Sequence, residues 1–243
     1  MKHFLLVALV AVSFSSLANA NNGVYASIKA GVSDTKYKNS VDTEYNSDDP
    51  DYVWIYSNND QTKSVYPTIS AALGYDFSAI SPVNVRAELE YTYKSKTKYQ
   101  PETYETYGDY AGVIGIDYEH YAAINTSSIK SQSLMLNGYY DFKNTSKFTP
   151  YLSAGVGFTH IKNTQTDTIH HTNASDSDNQ FTWSAGIGVN YAISQNVGLD
   201  LSYRYVDAGK YDFTFTHTDG VIPTNTKFKL ESNEYLLGIR YNF

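Results

Sequence analysis

Cysteine is absent from the 243-residue chain, so no disulfide framework, thiolate metal site or acylated cysteine anchor is available to it. Past residue 20 there is no long apolar run, and mean hydropathy is only −0.41, which excludes a helical membrane span. Basic residues are outnumbered, 18 Lys and Arg against 25 Asp and Glu, which argues against a nucleic-acid partner. Tryptophan occurs twice, whereas tyrosine occurs 24 times, a bias that suits both interfacial aromatic girdles and recognition loops.

Residues 1–20 have the build of a secretory signal peptide: Lys2, an apolar run from Phe4 to Val12, and Ala18-Asn19-Ala20 as a small-x-small cleavage site. The expected mature chain, 21–243, is a single domain; losing Lys2 leaves 17 basic against 25 acidic residues, a net charge of −8.

Two-residue alternation then recurs along the chain. Successive strand side chains face opposite ways, so such a ribbon has one apolar and one polar face. The closing ribbon shows it best: Tyr235, Leu237, Ile239, Tyr241 and Phe243 oppose Glu234, Leu236, Gly238, Arg240 and Asn242. Similar ribbons occupy residues 24–33, 65–77, 83–94, 129–142, 148–160, 181–191 and 197–206. About 10 residues of tilted strand cross a bilayer. Short turns at 78–82, 143–147 and 194–196 alternate with polar loops at 34–63, 99–127, 161–180 and 207–227. That asymmetry predicts an all-β fold: an eight-stranded antiparallel up-and-down transmembrane barrel with short periplasmic turns, four long extracellular loops and both termini periplasmic.

The segments RAELEY (86–91), LMLNGYYDF (134–142), PYLSAGVGF (150–158), LSYRY (201–205) and LGIRYNF (237–243) resemble the opacity-protein family of eight-stranded outer-membrane barrels and related surface antigens. The resemblance implies a bacterial outer-membrane location and a non-enzymatic surface role in adhesion or ligand and host contact. It also implies recognition of the closing strand, ending at Phe243, by the barrel-insertion machinery. Its expected surroundings are outer-membrane lipid and lipopolysaccharide, with a host-surface protein or glycan as loop partner, no cofactor, and a monomeric state. A small porin-like channel or an envelope-stabilising barrel is the alternative. Because the sequence stops with the barrel, no periplasmic cell-wall-binding domain is expected.

Charges on the lumen parity are Lys29, Arg86, Glu88, Glu90, Asp200, Arg204, Glu234 and Arg240. An eight-stranded interior is just filled by side chains, so the three arginines are expected to pair with Glu88, Glu90, Asp200 and Glu234 as a structural plug. Lys94, Lys96 and Lys98 continue that parity and are expected to form a solvated strand extension, the alternative being contact with lipopolysaccharide phosphates or sulfated glycans. Gly155-Val156-Gly157 and Gly186-Ile187-Gly188 precede no helix and make room for bulky neighbours rather than cradling a phosphate. Asp48-Asp49-Pro50-Asp51 and Asp176-Ser177-Asp178 lack the glycine and closing Glu of a calcium loop and read as solvated acidic segments. His160, His170 and His171 cluster in the third loop, but no matching nucleophile and acid accompany them, so no catalytic role is expected. Aromatic loop residues, Tyr52, Trp54 and Tyr56 in the first loop and Tyr104, Tyr107 and Tyr110 in the second, either contact a ligand or extend the barrel wall and pack on each other.

Overall fold

The computed structural model describes residues 23–46, 53–99, 102–107, 119–167, 173–216 and 223–243. Nine strands form: β1 (Val24–Asn46), β2 (Val53–Asp76), β3 (Val85–Tyr99), β4 (Glu102–Tyr107), β5 (Glu119–Asp141), β6 (Phe148–Asp167), β7 (Asn173–Ala192), β8 (Val197–Thr216) and β9 (Pro223–Asn242). Each ring strand pairs antiparallel with its neighbours, β9 returns to β1, and β3 pairs with β5, so eight strands close a barrel. The short β4 stands outside the ring and pairs with β5 through Glu102↔Ile124 to Tyr107↔Glu119.

The alternation read from the sequence is the inside–outside pattern of this wall. Leu134, Leu136, Leu152, Val156, Ile187, Leu201, Leu237 and Ile239 each leave half or more of their surface outside, as lipid-facing residues do. Their strand neighbours Met135, Tyr151, Ser184 and Leu236 are buried. Aromatic rings edge the apolar belt: Tyr75–Phe77, Tyr140–Phe142, Phe148–Tyr191 and Tyr241–Phe243 at the short-turn end, and Phe158–Phe181, Trp183–Tyr205 and Tyr203–Tyr235 at the other. Both ends of the described chain lie at the short-turn end, where the Phe243 amide donates to the Val24 carbonyl and the Asp76 amide to that of Gly23.

The segments expected as polar loops are largely paired strand. β1 and β2 stay in register up to Asn46↔Val53, and β5 and β6 up to Asn125↔Asp167. Polar residues on both parities hide such strands from a hydropathy reading. The wall does not continue as one ring, however. β2 pairs with β3 only between Thr68↔Lys94 and Asp76↔Arg86, and β7 with β8 only up to Trp183↔Asp207. Above these points the barrel parts, among the described residues, into one sheet of β2, β1, β9 and β8 and a second of β3, β5, β6 and β7, with β4 along β5. Tyr66, Ala208, Tyr211 and Leu230 from the first sheet meet Ile129 and Ile161 from the second in a buried apolar cluster. The interior thus changes from polar in the eight-stranded ring to apolar in the sandwich above it.

The β8 bulge makes this change possible. Register shifts between Asp207 and Lys210, Gly209 takes a positive φ of 82°, and Asp207 Oδ1 accepts the Gly209 amide at 2.9 Å. The extra residue turns both Ala208 and Tyr211 inward.

Candidate functional site: a charge-filled lumen beneath an outer sandwich

Among the described residues, strand parity brings five cations and five carboxylates into the lumen, a balanced set. At its centre Glu90, fully buried, lies between Lys29 Nζ at 3.0 Å and Arg204 Nη1 at 2.5 Å. Arg204 Nε also donates to Glu234 Oε2 at 2.6 Å, and Nη2 to Thr92 Oγ1 at 3.2 Å. Lys29 reaches Glu88 Oε1 at 2.9 Å, and Tyr139 OH donates to the same carboxylate oxygen at 2.9 Å. Buried charges need partners of this kind, because an unpaired one bears the whole desolvation penalty.

Nearer the short turns, Arg86 grips Asp141 with two bonds, Nε to Oδ2 at 2.8 Å and Nη2 to Oδ1 at 2.9 Å. Its guanidinium lies 4.4 Å from the Tyr139 ring centroid and 5.2 Å from that of Tyr151. Tyr151 OH donates to Asp200 at 2.9 Å. Arg240 donates to Asn190 Oδ1 at 3.2 Å and lies 5.5 Å from the Tyr25 ring centroid; among the described residues no carboxylate forms an ion pair with it.

Three sequence expectations change here. Arg86 pairs with Asp141, not with Glu88, Glu90, Asp200 or Glu234; Asp141 shares the inward parity of Asn137 and Tyr139, which was the available signal. Arg240 is held by an amide and a ring instead of an acid. Lys94 is not part of a solvated extension: it is buried and ion-paired with Glu234 at 2.7 Å. A bulge between Lys94 and Thr97 then shifts β3, so Lys94 stands opposite Ser131 and Lys98 opposite Ser128, on alternate parities of β5.

Above the charges lies a layer of hydroxyls. Tyr66 OH donates to Thr35 at 2.6 Å, Thr35 lies 2.8 Å from Ser232, and Thr159 bridges Ser133 at 2.8 Å and Thr182 at 2.6 Å. The apolar cluster caps this layer, and burial pushes the pKa of the Tyr211 hydroxyl up, Asp178 and Asp207 adding to the effect. A void lined by Lys29, Asn137, Tyr139, Tyr151 and Arg204 amounts to about 10 Å³, room for roughly one water. Gly188 stands where a Cβ would lie 2.4 Å from the Tyr151 ring, and Gly186 where one would lie 2.8 Å from Arg204 Cβ.

Of the remaining sequence candidates, His160 sits on the outer wall with Nδ1 2.9 Å from Asn179 Oδ1. Asp178 accepts from Gln180 at 2.6 Å, and no group of three or more His, Asp or Glu suited to a metal occurs among the described residues. Trp54, Tyr56, Tyr104 and Tyr107 lie on paired strands β2 and β4. Tyr52, Tyr110, Asp48, Asp49, Pro50, Asp51, His170 and His171, and the signal-peptide residues, lie outside the described residues.

A closed antiparallel ring with an apolar outer belt, aromatic edges and a polar filled lumen is the architecture of an outer-membrane barrel. The family model for the outer membrane protein beta-barrel domain matches residues 4–243. The chain belongs to this family. It is 34% identical to outer membrane protein PagN of Salmonella typhimurium across the whole of both chains. It is 28% identical to opacity protein opA57 of Neisseria gonorrhoeae, over 77% of this chain and 82% of the relative. The crystal structure of Neisserial surface protein A superposes with a TM-score of 0.51 at 19% identity, covering 91% of this chain and 98% of the other, which agrees in fold. The protein is therefore an outer-membrane barrel of the bacterial envelope, related to PagN and the opacity proteins.

Proposed function

We propose that this barrel is a non-enzymatic surface protein whose outer sandwich, not its lumen, makes the functional contacts. The carrying observation is the strand surplus at one end. Strands of 20 to 24 residues surround the ring except at β3, about twice what a bilayer crossing needs, and the excess lies opposite the short turns. In this reading the sandwich faces outward and both termini are periplasmic. The strands carrying Trp54, Tyr56, Tyr104 and Tyr107 form part of a contact surface for a host-surface or environmental ligand, to which Tyr52 and Tyr110 also contribute. Kinship with the opacity proteins supports an adhesive role. The lumen charges, Lys29, Arg86, Glu88, Glu90, Asp200, Arg204, Glu234 and Arg240, serve as internal struts, and β9 with Phe243 serves as the insertion signal of a monomer.

Register supplies a clean experiment. Lys36 stands opposite Lys63 and Tyr99 opposite Ser127, so residues 37–62 and 100–126 can each be replaced by a tight turn without shifting the wall below. Cells displaying the shortened barrel are expected to insert it normally and to lose adhesion. Unchanged adhesion with normal insertion would refute the proposal.

A further inference from the structure

Just above the upper aromatic girdle, the β5–β6 wall carries a feature that costs stability unless an anion relieves it. Lys130 and Lys162 are directly opposite in register, and both are exposed on the outer face. Cβ atoms of directly opposed residues lie about 4.5–5.5 Å apart, and like charges so placed destabilise a sheet. Other outward lysine pairs have acids at hand: Lys36, opposite Lys63, also faces Glu231 across β9, and Lys229, opposite Lys210, is ion-paired with Glu231 and with Asp207 at 3.4 Å. Lys162 instead has Ser177 as its neighbour on β7, and Lys130 lies beside the β3 bulge. Neither lysine has a hydrogen-bond or ion-pair partner among the described residues.

The surface below this pair is graded. Two residues down, Gln132 stands opposite His160; Tyr91 OH donates to Gln132 at 2.9 Å, and His160 meets Asn179 at 2.9 Å. Two residues further down, Leu134 stands opposite Phe158, whose ring packs edge-on against Phe181 at 6.2 Å. Four residues at about 3.3 Å each, on a strand tilted by about 40°, put the cations roughly 10 Å above the aromatic pair. Apolar surface, hydrogen-bonding groups and a paired cation in that vertical order fit an amphiphile with acyl chains, a polar linkage and a phosphate.

We propose that Lys130 and Lys162 bind the phosphate of a phosphorylated glycolipid of the outer leaflet, a lipid A headgroup, with Gln132 and His160 beneath it and Leu134 and Phe158 against its acyl chains. The proposal rests on the outward orientation of the sandwich. A lipid phosphate bridging the pair removes the cross-strand repulsion and fastens the β5–β6 wall at the membrane surface.

The test uses the full mature barrel in detergent, melted during titration with bisphosphorylated lipid A, dephosphorylated lipid A or inorganic phosphate. Bisphosphorylated lipid A is expected to raise Tm saturably. Lys130→Gln/Lys162→Gln should bind it roughly 30-fold more weakly, each lysine near an anionic surface contributing about a fivefold factor. Lys130→Glu, which places opposite charges across the strands, should raise Tm without lipid and abolish the response. Equal titrations for wild type and the double variant, an equal response to dephosphorylated lipid A, or the full shift with inorganic phosphate alone would each overturn the proposal. Orientation is read separately by labelling Ser177→Cys on intact cells. Labelling only after permeabilisation would remove the site from the outer leaflet without altering the detergent result.

Discussion

The Arg86–Asp141 pair gives a quantitative test of the lumen, because its two partners form a bidentate contact with both side chains about 3% exposed. Removing one member of a buried pair leaves the other uncompensated, at a cost of about 3–5 kcal/mol, whereas replacing both by apolar groups of similar size is often close to neutral. Asp141→Leu alone should be the more damaging single change, since Arg86 then shares the Tyr25 ring with Arg240, which has no ion-pair partner among the described residues, and keeps only the Tyr25 hydroxyl and aromatic rings as partners. Arg86→Met strands Asp141 but removes one of two neighbouring arginines. The double variant should therefore cost less than either single change, which puts the coupling energy above about 3 kcal/mol. Urea unfolding in lipid vesicles, followed by tryptophan fluorescence and by the gel shift of the folded barrel, measures all four corners. Additive losses, or single losses below about 1 kcal/mol, would refute the claim that desolvated pairing holds the lumen together.

Gly188→Ala should lower stability by about 1–3 kcal/mol, because its Cβ would meet the Tyr151 ring and the Leu201 carbonyl; on a Tyr151→Ala background, measured in the same unfolding assay, the cost should fall but not vanish, because the Leu201 carbonyl contact remains. Leu237→Arg, placed between the girdle residues Tyr235 and Tyr241, should cost about 2–4 kcal/mol in lipid, whereas Asp212→Arg above the girdle, which sets a second cation opposite Lys227, should cost no more than about 1 kcal/mol.

Parity made the membrane part of this fold legible. Tyr235, Leu237, Ile239 and Tyr241 face lipid as their alternation implies, and the turns at 143–147 and 194–196 stand where polar breaks fall. Beyond the girdle the signal fails for a physical reason. Residues 34–46 and 53–63 carry polar side chains on both parities and so look like loop, although Asn46 pairs in register with Val53. Bulges defeat parity from within: counting by twos through Lys94 to Lys98, or through Asp207 to Tyr211, crosses a register shift that composition does not mark. In the lumen, parity named the charges but not their partners. Choosing Asp141 for Arg86 requires the register between the third and fourth ribbons, Arg86 opposite Tyr139, which alternation alone does not fix.

In the proposed reading the functional contacts lie on the outer sandwich and the lumen is solid: ion pairs, then hydroxyls, then the apolar cluster around Tyr66, Ile161, Tyr211 and Leu230. Planar-bilayer recording of the purified barrel tests this most directly. The expected trace is silent, with no steps above the protein-free baseline at moderate voltage. A stable ohmic conductance that changes with Arg204→Ala or Arg86→Ala would show that ions traverse the interior, and would contradict the account.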